Sequence, residues 1–231
     1  MEWWLGYLFL GAIVGFFAGL FGIGGGLVMV PVLSFLFSAQ DFPPDRIMHL
    51  ALGTSMAAII FTSISSLRVH HINRAINWNT VKLVTPGIIF GTFCGVTLVN
   101  SLSGRYLSIF IILFIYYAAT KMLVNSTTNP SRNLPGKAGM FAVGWIIGGL
   151  SSLVAIGGGI LTVPFLSACN VRLQHAIGTA SAIGLPIAIA GTACYIASGI
   201  VQSQELPEYS LGYIYLPALI GIAIFSVISA S

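Results

Sequence analysis

The chain has 231 residues, of which 57% are hydrophobic and 6% are charged, and its net charge at pH 7 is +4. A soluble domain carries about 25% charged residues, so this composition excludes a soluble globular protein. It predicts a multi-pass membrane protein, because lipid replaces water around most of an apolar surface. The basic residues lie in short loops and form no basic stretch with interleaved aromatic residues. No nucleic-acid partner is therefore expected.

Seven apolar stretches follow one another along the chain. They cover residues 3–37, 49–69, 80–102, 106–124, 138–168, 175–198 and 211–231. One helical crossing of a bilayer takes about 20 residues, and only the first and the fifth stretch are too long for that. Both of these are interrupted by glycines. The interruptions are the first triplet, Gly24, Gly25 and Gly26, and the second triplet, Gly157, Gly158 and Gly159.

The two triplets predict helices that are broken inside the membrane. Glycine costs a helix about 1 kcal/mol per residue relative to alanine, and Pro31 and Pro164 follow the triplets at equal spacing. The first amides of a half-helix are unpaired and carry partial positive charge, which suits an anion. We therefore expect two re-entrant segments whose triplets bind an anion. Close packing of helices at the glycines is the alternative that this pattern leaves open.

The two halves of the chain are related in sequence. Gly11, Gly15 and the first triplet through Pro31 recur in order as Gly144, Gly148 and the second triplet through Pro164, and Ala51-x-Gly53-Thr54 recurs as Ala176-x-Gly178-Thr179. Two separate motifs repeated in the same order indicate a duplication. Small residues four positions apart, here and at Gly87, Gly91 and Gly95, are also typical of closely packed membrane helices.

The polar segment 125–137 is predicted to be a cytoplasmic linker between the two repeats, residues 1–124 and 138–231. Basic residues at this linker and in the loop after the second stretch place both loops in the cytoplasm. If each long segment returns to the side that it came from, the first repeat makes three crossings and the second repeat is inverted. In this sequence the second repeat has no counterpart of the stretch 106–124, so either the sequence is shortened there or the protein lacks that last helix.

Four hydroxyl side chains form the second candidate for a binding site. They are Thr54, Ser55, Thr179 and Ser181. They could donate hydrogen bonds to a bound oxyanion and, being neutral, would allow it to leave again. Hydroxyls in membrane helices also bond a neighbouring helix or the preceding turn, and this alternative stays open. His49 and His175, at the starts of two stretches, are expected at the membrane interface, with anion contact or proton coupling as the alternative.

The sequence shows no pattern for catalysis or metal binding. Cys94, Cys169 and Cys194 lack CxxC spacing, and the adjacent His70 and His71 belong to a basic loop cluster. We therefore expect no metal, no cofactor and no enzymatic activity.

The glycine motif resembles that of the TauE/SafE sulfite exporter family. The residues that carry the likeness are the pattern G-x3-G-x-F-G-x-GGG-x-V-x-VP from Gly15 to Pro31, its second copy ending at Pro164, Gly53-Thr54-Ser55, Ile76-Asn77-Trp78 and Leu211-Gly212-Tyr213. The resemblance implies an all-α permease of a bacterial or archaeal cytoplasmic membrane. It also implies a substrate among sulfite, sulfonates and related organosulfur anions, moved by alternating access.

Two other functions stay open at this point. One is a membrane scaffold or sensor that transports nothing, and the other is a permease for a small organic carboxylate. The sequence does not decide between a monomer and a homo-oligomer, or between a proton and sodium as a coupling ion.

Overall fold

The fold is described from a computed structural model, which describes residues 3–21, 25–123, 134–202 and 206–230. Within these ranges the chain forms nine helices and one two-stranded hairpin. The elements are α1 (Trp3–Phe21), α2 (Gly26–Ala39), α3 (Pro44–Ile72), α4 (Trp78–Ser101), α5 (Gly104–Leu123), α6 (Lys137–Val154), α7 (Gly159–Ala168), α8 (Leu173–Val201), β1 (Ser210–Leu211), β2 (Ile214–Tyr215) and α9 (Leu216–Ala230). Gly24 and residues 125–133 of the predicted linker lie outside the described ranges.

Length and apolarity make this an all-α, multi-pass membrane protein, as predicted. Within the described ranges, four helices are long and apolar enough to cross a membrane, namely α3, α4, α6 and α8. Large apolar side chains such as Phe35 and Tyr116 are more than two-thirds exposed, which is costly in water and normal in lipid.

The hairpin before α9 is the one strand pair among the described residues. The apolar stretch 211–231 has the length of one helical crossing, but its helix begins only at Leu216. Ser210 pairs with Tyr215 and Leu211 with Ile214 in an antiparallel register. The turn between them needs Gly212, whose φ of 57° lies in the left-handed region.

Helices α3 and α8 form the centre of the molecule. Every residue from 49 to 59 in α3 is buried, so this part of the helix has protein on all sides. In α8, residues 178–184 are likewise buried without interruption. The Gly-Thr motifs of both repeats lie in these two buried segments.

Helices α4 and α6 pack through glycines on both helices. A Cβ atom on Gly91 would overlap the carbonyl oxygen of Trp145, and one on Gly148 would overlap that of Ile88. The backbones therefore approach as closely as the small-residue spacing predicted.

Replacing Gly91 by alanine is expected to destabilise the protein, since the added methyl group meets backbone that cannot rotate away. Overpacking of this kind costs about 1–3 kcal/mol. The matched control is Gly149→Ala on the same interface, where the new Cβ would lie 3.4 Å from the nearest atom. Thermal unfolding in detergent should show a lower Tm for Gly91→Ala than for Gly149→Ala, and equal values would contradict this packing.

The contact between α1 and α9 repeats the contact between α6 and α4. Gly11 and Gly15 of α1 are the sequence counterparts of Gly144 and Gly148 of α6. Their added Cβ atoms would meet the carbonyl oxygens of Ile222 and Ser226 in α9, and of Val84 and Ile88 in α4, which are spaced alike. Each predicted repeat thus packs its first helix against a helix of the other repeat.

Candidate functional site

Both glycine triplets end one helix and begin the next. Helix α2 starts at Gly26 and helix α7 starts at Gly159, so each long apolar segment consists of two helices. The residues that precede them, Gly25 and Gly158, have φ values of 69° and 78°. This left-handed conformation is open to glycine and strained for other residues, which explains why a glycine stands at both starts.

The two interruptions meet inside the protein. A Cβ on Gly26 would overlap the carbonyl oxygen of Ala155, the residue that follows α6, and would lie 3.2 Å from Cδ1 of Ile59. Ala155 itself has a φ of 51°, so α6 ends there in a left-handed turn. The structure therefore brings Gly25 and Gly26 next to the segment that leads into the second triplet.

Helices α3 and α8 cover the second triplet. A Cβ on Gly184 of α8 would lie 2.7 Å from the carbonyl oxygen of Gly157 and 3.2 Å from Oγ of Ser63 in α3. A Cβ on Gly158 would lie 2.7 Å from Cδ1 of Ile187. Both central helices thus contact the second triplet, and α3 contributes the hydroxyl of Ser63 at this contact.

The first amides of α7 have no backbone acceptor among the described residues. The carbonyl oxygen of Gly158 accepts hydrogen bonds from the amides of Leu161 and Thr162, and the amides of Gly159 and Ile160 precede these. In the same way, the carbonyl oxygen of Gly25 accepts from Val28 and Met29 at the start of α2. Helix starts of this kind carry partial positive charge.

Thr54 and Thr179 each bind the backbone of a loop that belongs to the other repeat. The amide of Tyr215 donates to Oγ1 of Thr54 at 3.0 Å, and the amide of Asn77 donates to Oγ1 of Thr179 at 3.0 Å. We call these hydrogen bonds the first and the second clasp. Both hydroxyl oxygens are fully buried, so these two threonines follow the structural alternative left open by their sequence, in which a hydroxyl bonds a neighbouring element.

The glycine before each threonine makes room for its clasp. A Cβ on Gly53 would overlap the carbonyl oxygen of Tyr213, and one on Gly178 would lie 2.6 Å from that of Ala75. Tyr213 and Tyr215 stand at the same spacing as Ala75 and Asn77. In each Gly-Thr pair, the glycine lets the backbone of the other repeat approach closely. The hydroxyl oxygen of the threonine then accepts a hydrogen bond from an amide of that backbone.

The two serines of the predicted set differ from each other. Ser181 donates to the carbonyl oxygen of Ile177 at 3.1 Å and accepts from Oγ of Ser66 at 3.2 Å, so it ties α8 to α3. Ser55 is fully buried, and its hydroxyl has no hydrogen-bond partner within the described part of the chain. Of the four hydroxyls predicted from the sequence, only that of Ser55 lacks a hydrogen-bond partner among the described residues.

Thr162 and Ser63 lie beside the second triplet and were not predicted. Thr162 is 1% exposed, and its Oγ1 has no hydrogen-bond partner among the described residues. This oxygen lies 3.6 Å from the position of a Cβ on Gly158. The sequence held one signal for Thr162, since the corresponding position of the first repeat is the apolar Met29. For Ser63, one of several serines in its segment, no such signal exists.

The nearest neighbours of three triplet glycines are uncharged. Cβ atoms on Gly25, Gly26 and Gly158 would have only apolar, carbonyl or hydroxyl groups as their three closest atoms among the described residues. On α3, Arg68 follows Ser63 by more than one helical turn, and its side chain is exposed. The described residues also contain no group of three His, Cys, Asp or Glu side chains that could hold a metal ion.

A second polar cluster lies where α3 begins. Nη1 of Arg46 donates to the hydroxyl of Tyr213 at 2.9 Å and to Oε1 of Gln202 at 3.3 Å, and Tyr213 donates to Gln202 at 2.8 Å. Burial raises the pKa of Tyr213, although the charge of Arg46 opposes this, so the phenol stays protonated. The rings of His49 and Tyr213 lie 5.2 Å apart, and His49 is buried, whereas His175 is exposed.

Comparison with known proteins places the chain in a family. The family model of the sulfite exporter TauE/SafE matches residues 7–231. A probable membrane transporter protein of Haemophilus influenzae is 41% identical over 221 residues, which are 93% of this chain and 81% of the relative. A probable membrane transporter protein of Methanocaldococcus jannaschii is 28% identical over 94% of this chain and 80% of its own length. No solved structure matches significantly. The chain is therefore a multi-pass membrane protein that belongs to the TauE/SafE sulfite exporter family.

Proposed function

We propose that this protein is a permease that moves a small anion across the membrane. The observation that carries the proposal is the contact of Gly26, at the start of α2, with the backbone of Ala155, two residues before the second triplet, in the interior of the protein. Partial positive charge at helix starts attracts an anion. Neutral donors hold the anion without the strong pairing that a buried cationic side chain would impose.

The substrate-binding residues in this proposal are those of the triplets and the four hydroxyls. They are Gly24, Gly25, Gly26, Thr54, Ser55, Gly157, Gly158, Gly159, Thr179 and Ser181. The triplets supply backbone amides, and Ser55 supplies a free hydroxyl. Thr54 and Thr179 act through the clasps, since their oxygens accept from backbone amides and only their hydroxyl hydrogens are left to donate.

The transport cycle proposed here is alternating access between two inverted repeats with re-entrant first segments. Matching contacts support it: α1 packs on α9 as α6 packs on α4, and each clasp ties a loop of one repeat to a helix of the other. In inverted repeats such matched contacts lie toward opposite faces of the membrane. Opening one clasp while the other stays closed would expose the triplets to one side at a time.

The proposed substrate is sulfite, a sulfonate or a related organosulfur anion, and the proposed location is the cytoplasmic membrane of a bacterium or archaeon. The relatives in Haemophilus influenzae and Methanocaldococcus jannaschii, and the family itself, support this assignment. Coupling to a proton or sodium and assembly into a homo-oligomer are compatible with it.

The test is binding followed by flux. Purified protein is heated with sulfite, sulfate, thiosulfate, methanesulfonate or acetate at equal ionic strength. A ligand at 100 times its Kd stabilises the folded state by about 2.7 kcal/mol, which raises the Tm measurably. The uptake of the anion that raises the Tm most is then measured in proteoliposomes that contain the protein. Uptake above that of empty liposomes supports the permease, and binding without uptake indicates a sensor. The absence of both binding and uptake would overturn the proposal.

A further inference from the structure

The two triplets differ in the polarity of their neighbours. Beside the second triplet, Oγ1 of Thr162 lies 3.6 Å from the position of a Cβ on Gly158, and the corresponding residue of the first repeat is the apolar Met29. A duplication alone would give both triplets the same neighbours. The hydroxyl of Thr162 therefore distinguishes the second triplet as the one equipped for a polar ligand.

The hydroxyl of Thr162 has no hydrogen-bond partner among the described residues, and Thr162 is 1% exposed. Buried hydroxyls are nearly always bonded. A vacant hydroxyl beside the triplet therefore indicates a ligand or water that completes it.

The geometry of α7 explains why the hydroxyl of Thr162 is free. A threonine in a helix usually donates to the carbonyl oxygen four residues earlier, which here belongs to Gly158. That oxygen already accepts from the amides of Leu161, at 3.2 Å, and Thr162, at 2.8 Å. Oγ1 of Thr162 instead lies 3.6 Å from the Cβ position of Gly158, the residue that precedes the first residue of the helix.

Little positive charge is available beside the second triplet to compensate a bound anion. Each helix start is equivalent to about half an elementary charge, so the start of α7 offsets about half of one negative charge. The three described atoms nearest to a Cβ on Gly158 belong to no cationic side chain. A second negative charge on the ligand would be buried without compensation, which is strongly unfavourable.

We propose that the second triplet is the main half of the binding site, and that Thr162 donates a hydrogen bond there to an oxygen of a singly charged anion. This inference rests on the proposed permease and narrows its substrates. Monovalent oxyanions, such as sulfonates and carboxylates, fit the site, and divalent anions such as sulfate and thiosulfate do not.

The test compares Thr162→Val with the wild-type protein and with Thr192→Val. The valine keeps the shape of threonine and removes only the hydroxyl. Thr192 is a matched control, because its hydroxyl also lacks a partner among the described residues and it lies more than two helical turns beyond Gly184 in α8. The probes are methanesulfonate and acetate as monoanions and sulfate as a dianion, with Kd values from thermal shift and isothermal titration at constant ionic strength.

Wild-type protein is expected to bind methanesulfonate and to bind sulfate far more weakly. A hydrogen bond to a charged group is worth at least a factor of about ten in affinity, so Thr162→Val should raise the Kd for methanesulfonate about tenfold. Thr192→Val should leave it unchanged, and Thr162→Ser should restore it. The melting temperature without ligand shows that each variant is folded.

The outcomes separate this inference from the proposed function. Methanesulfonate binding that is the same in Thr162→Val and wild type overturns the role of Thr162 and leaves the permease in place. Sulfate binding as tight as that of methanesulfonate overturns the charge argument. If no anion binds the wild-type protein, both the inference and the permease are wrong.

Discussion

Gly26→Ala is expected to abolish anion flux while the protein still folds. The added methyl group would occupy the position of the carbonyl oxygen of Ala155, so the first triplet and the segment before the second triplet must move apart. Because both are backbone, no side-chain rotation relieves the overlap. Flux of the best-bound anion into proteoliposomes should fall to the level of empty liposomes.

Gly6→Ala is the control for this prediction. Its new Cβ would lie 3.5 Å from the side chain of Leu36, an ordinary contact. Both variants change glycine to alanine in an apolar, helical part of the first repeat, and only one of them separates the triplets. Flux in Gly26→Ala equal to that in Gly6→Ala would show that the meeting of the triplets has no part in transport.

Removing both clasps is expected to destabilise the protein strongly. In the double variant Thr54→Val, Thr179→Val, the amides of Tyr215 and Asn77 lose their acceptors inside the protein. Leaving a buried donor unsatisfied costs about 1–3 kcal/mol, so the two losses together should amount to about 2–6 kcal/mol. Denaturant or thermal unfolding in detergent measures this.

The single variants and one exposed threonine complete this experiment. Thr97 is exposed and donates only to the carbonyl oxygen of Cys94 in its own helix, so Thr97→Val should change the stability little. Two distant clasps should give losses that add to within about 0.5 kcal/mol. A double variant as stable as Thr97→Val would contradict the role of the clasps.

Local features of the sequence predicted part of this structure well. The helix breaks at the triplets follow from the conformational freedom of glycine, and the close contact of α4 with α6 follows from glycines four positions apart. Both are properties of a short window of residues. The glycines Gly91 and Gly148 could therefore be assigned to packing without knowing which helix each of them faces.

The partners of the hydroxyls could not be predicted, because they are set by contacts between distant parts of the chain. Nothing near Thr54 in sequence shows that it accepts from Tyr215, more than 150 residues away. Thr162 was overlooked for a related reason: its vacancy depends on Gly158 already accepting two amides, which is visible only in the folded backbone. The roles of the predicted site residues in anion binding stay predictions.

The exchange of packing partners between the repeats has a consequence for biogenesis. Helix α1 is made before the other described elements, and the helix against which its glycines pack, α9, is made after them. Gly11 and Gly15 therefore have no such partner until the other described elements have been synthesised. Contacts between elements far apart in sequence form late and slowly, so insertion factors that shield lone helices should matter more for this protein than for one whose halves assemble separately.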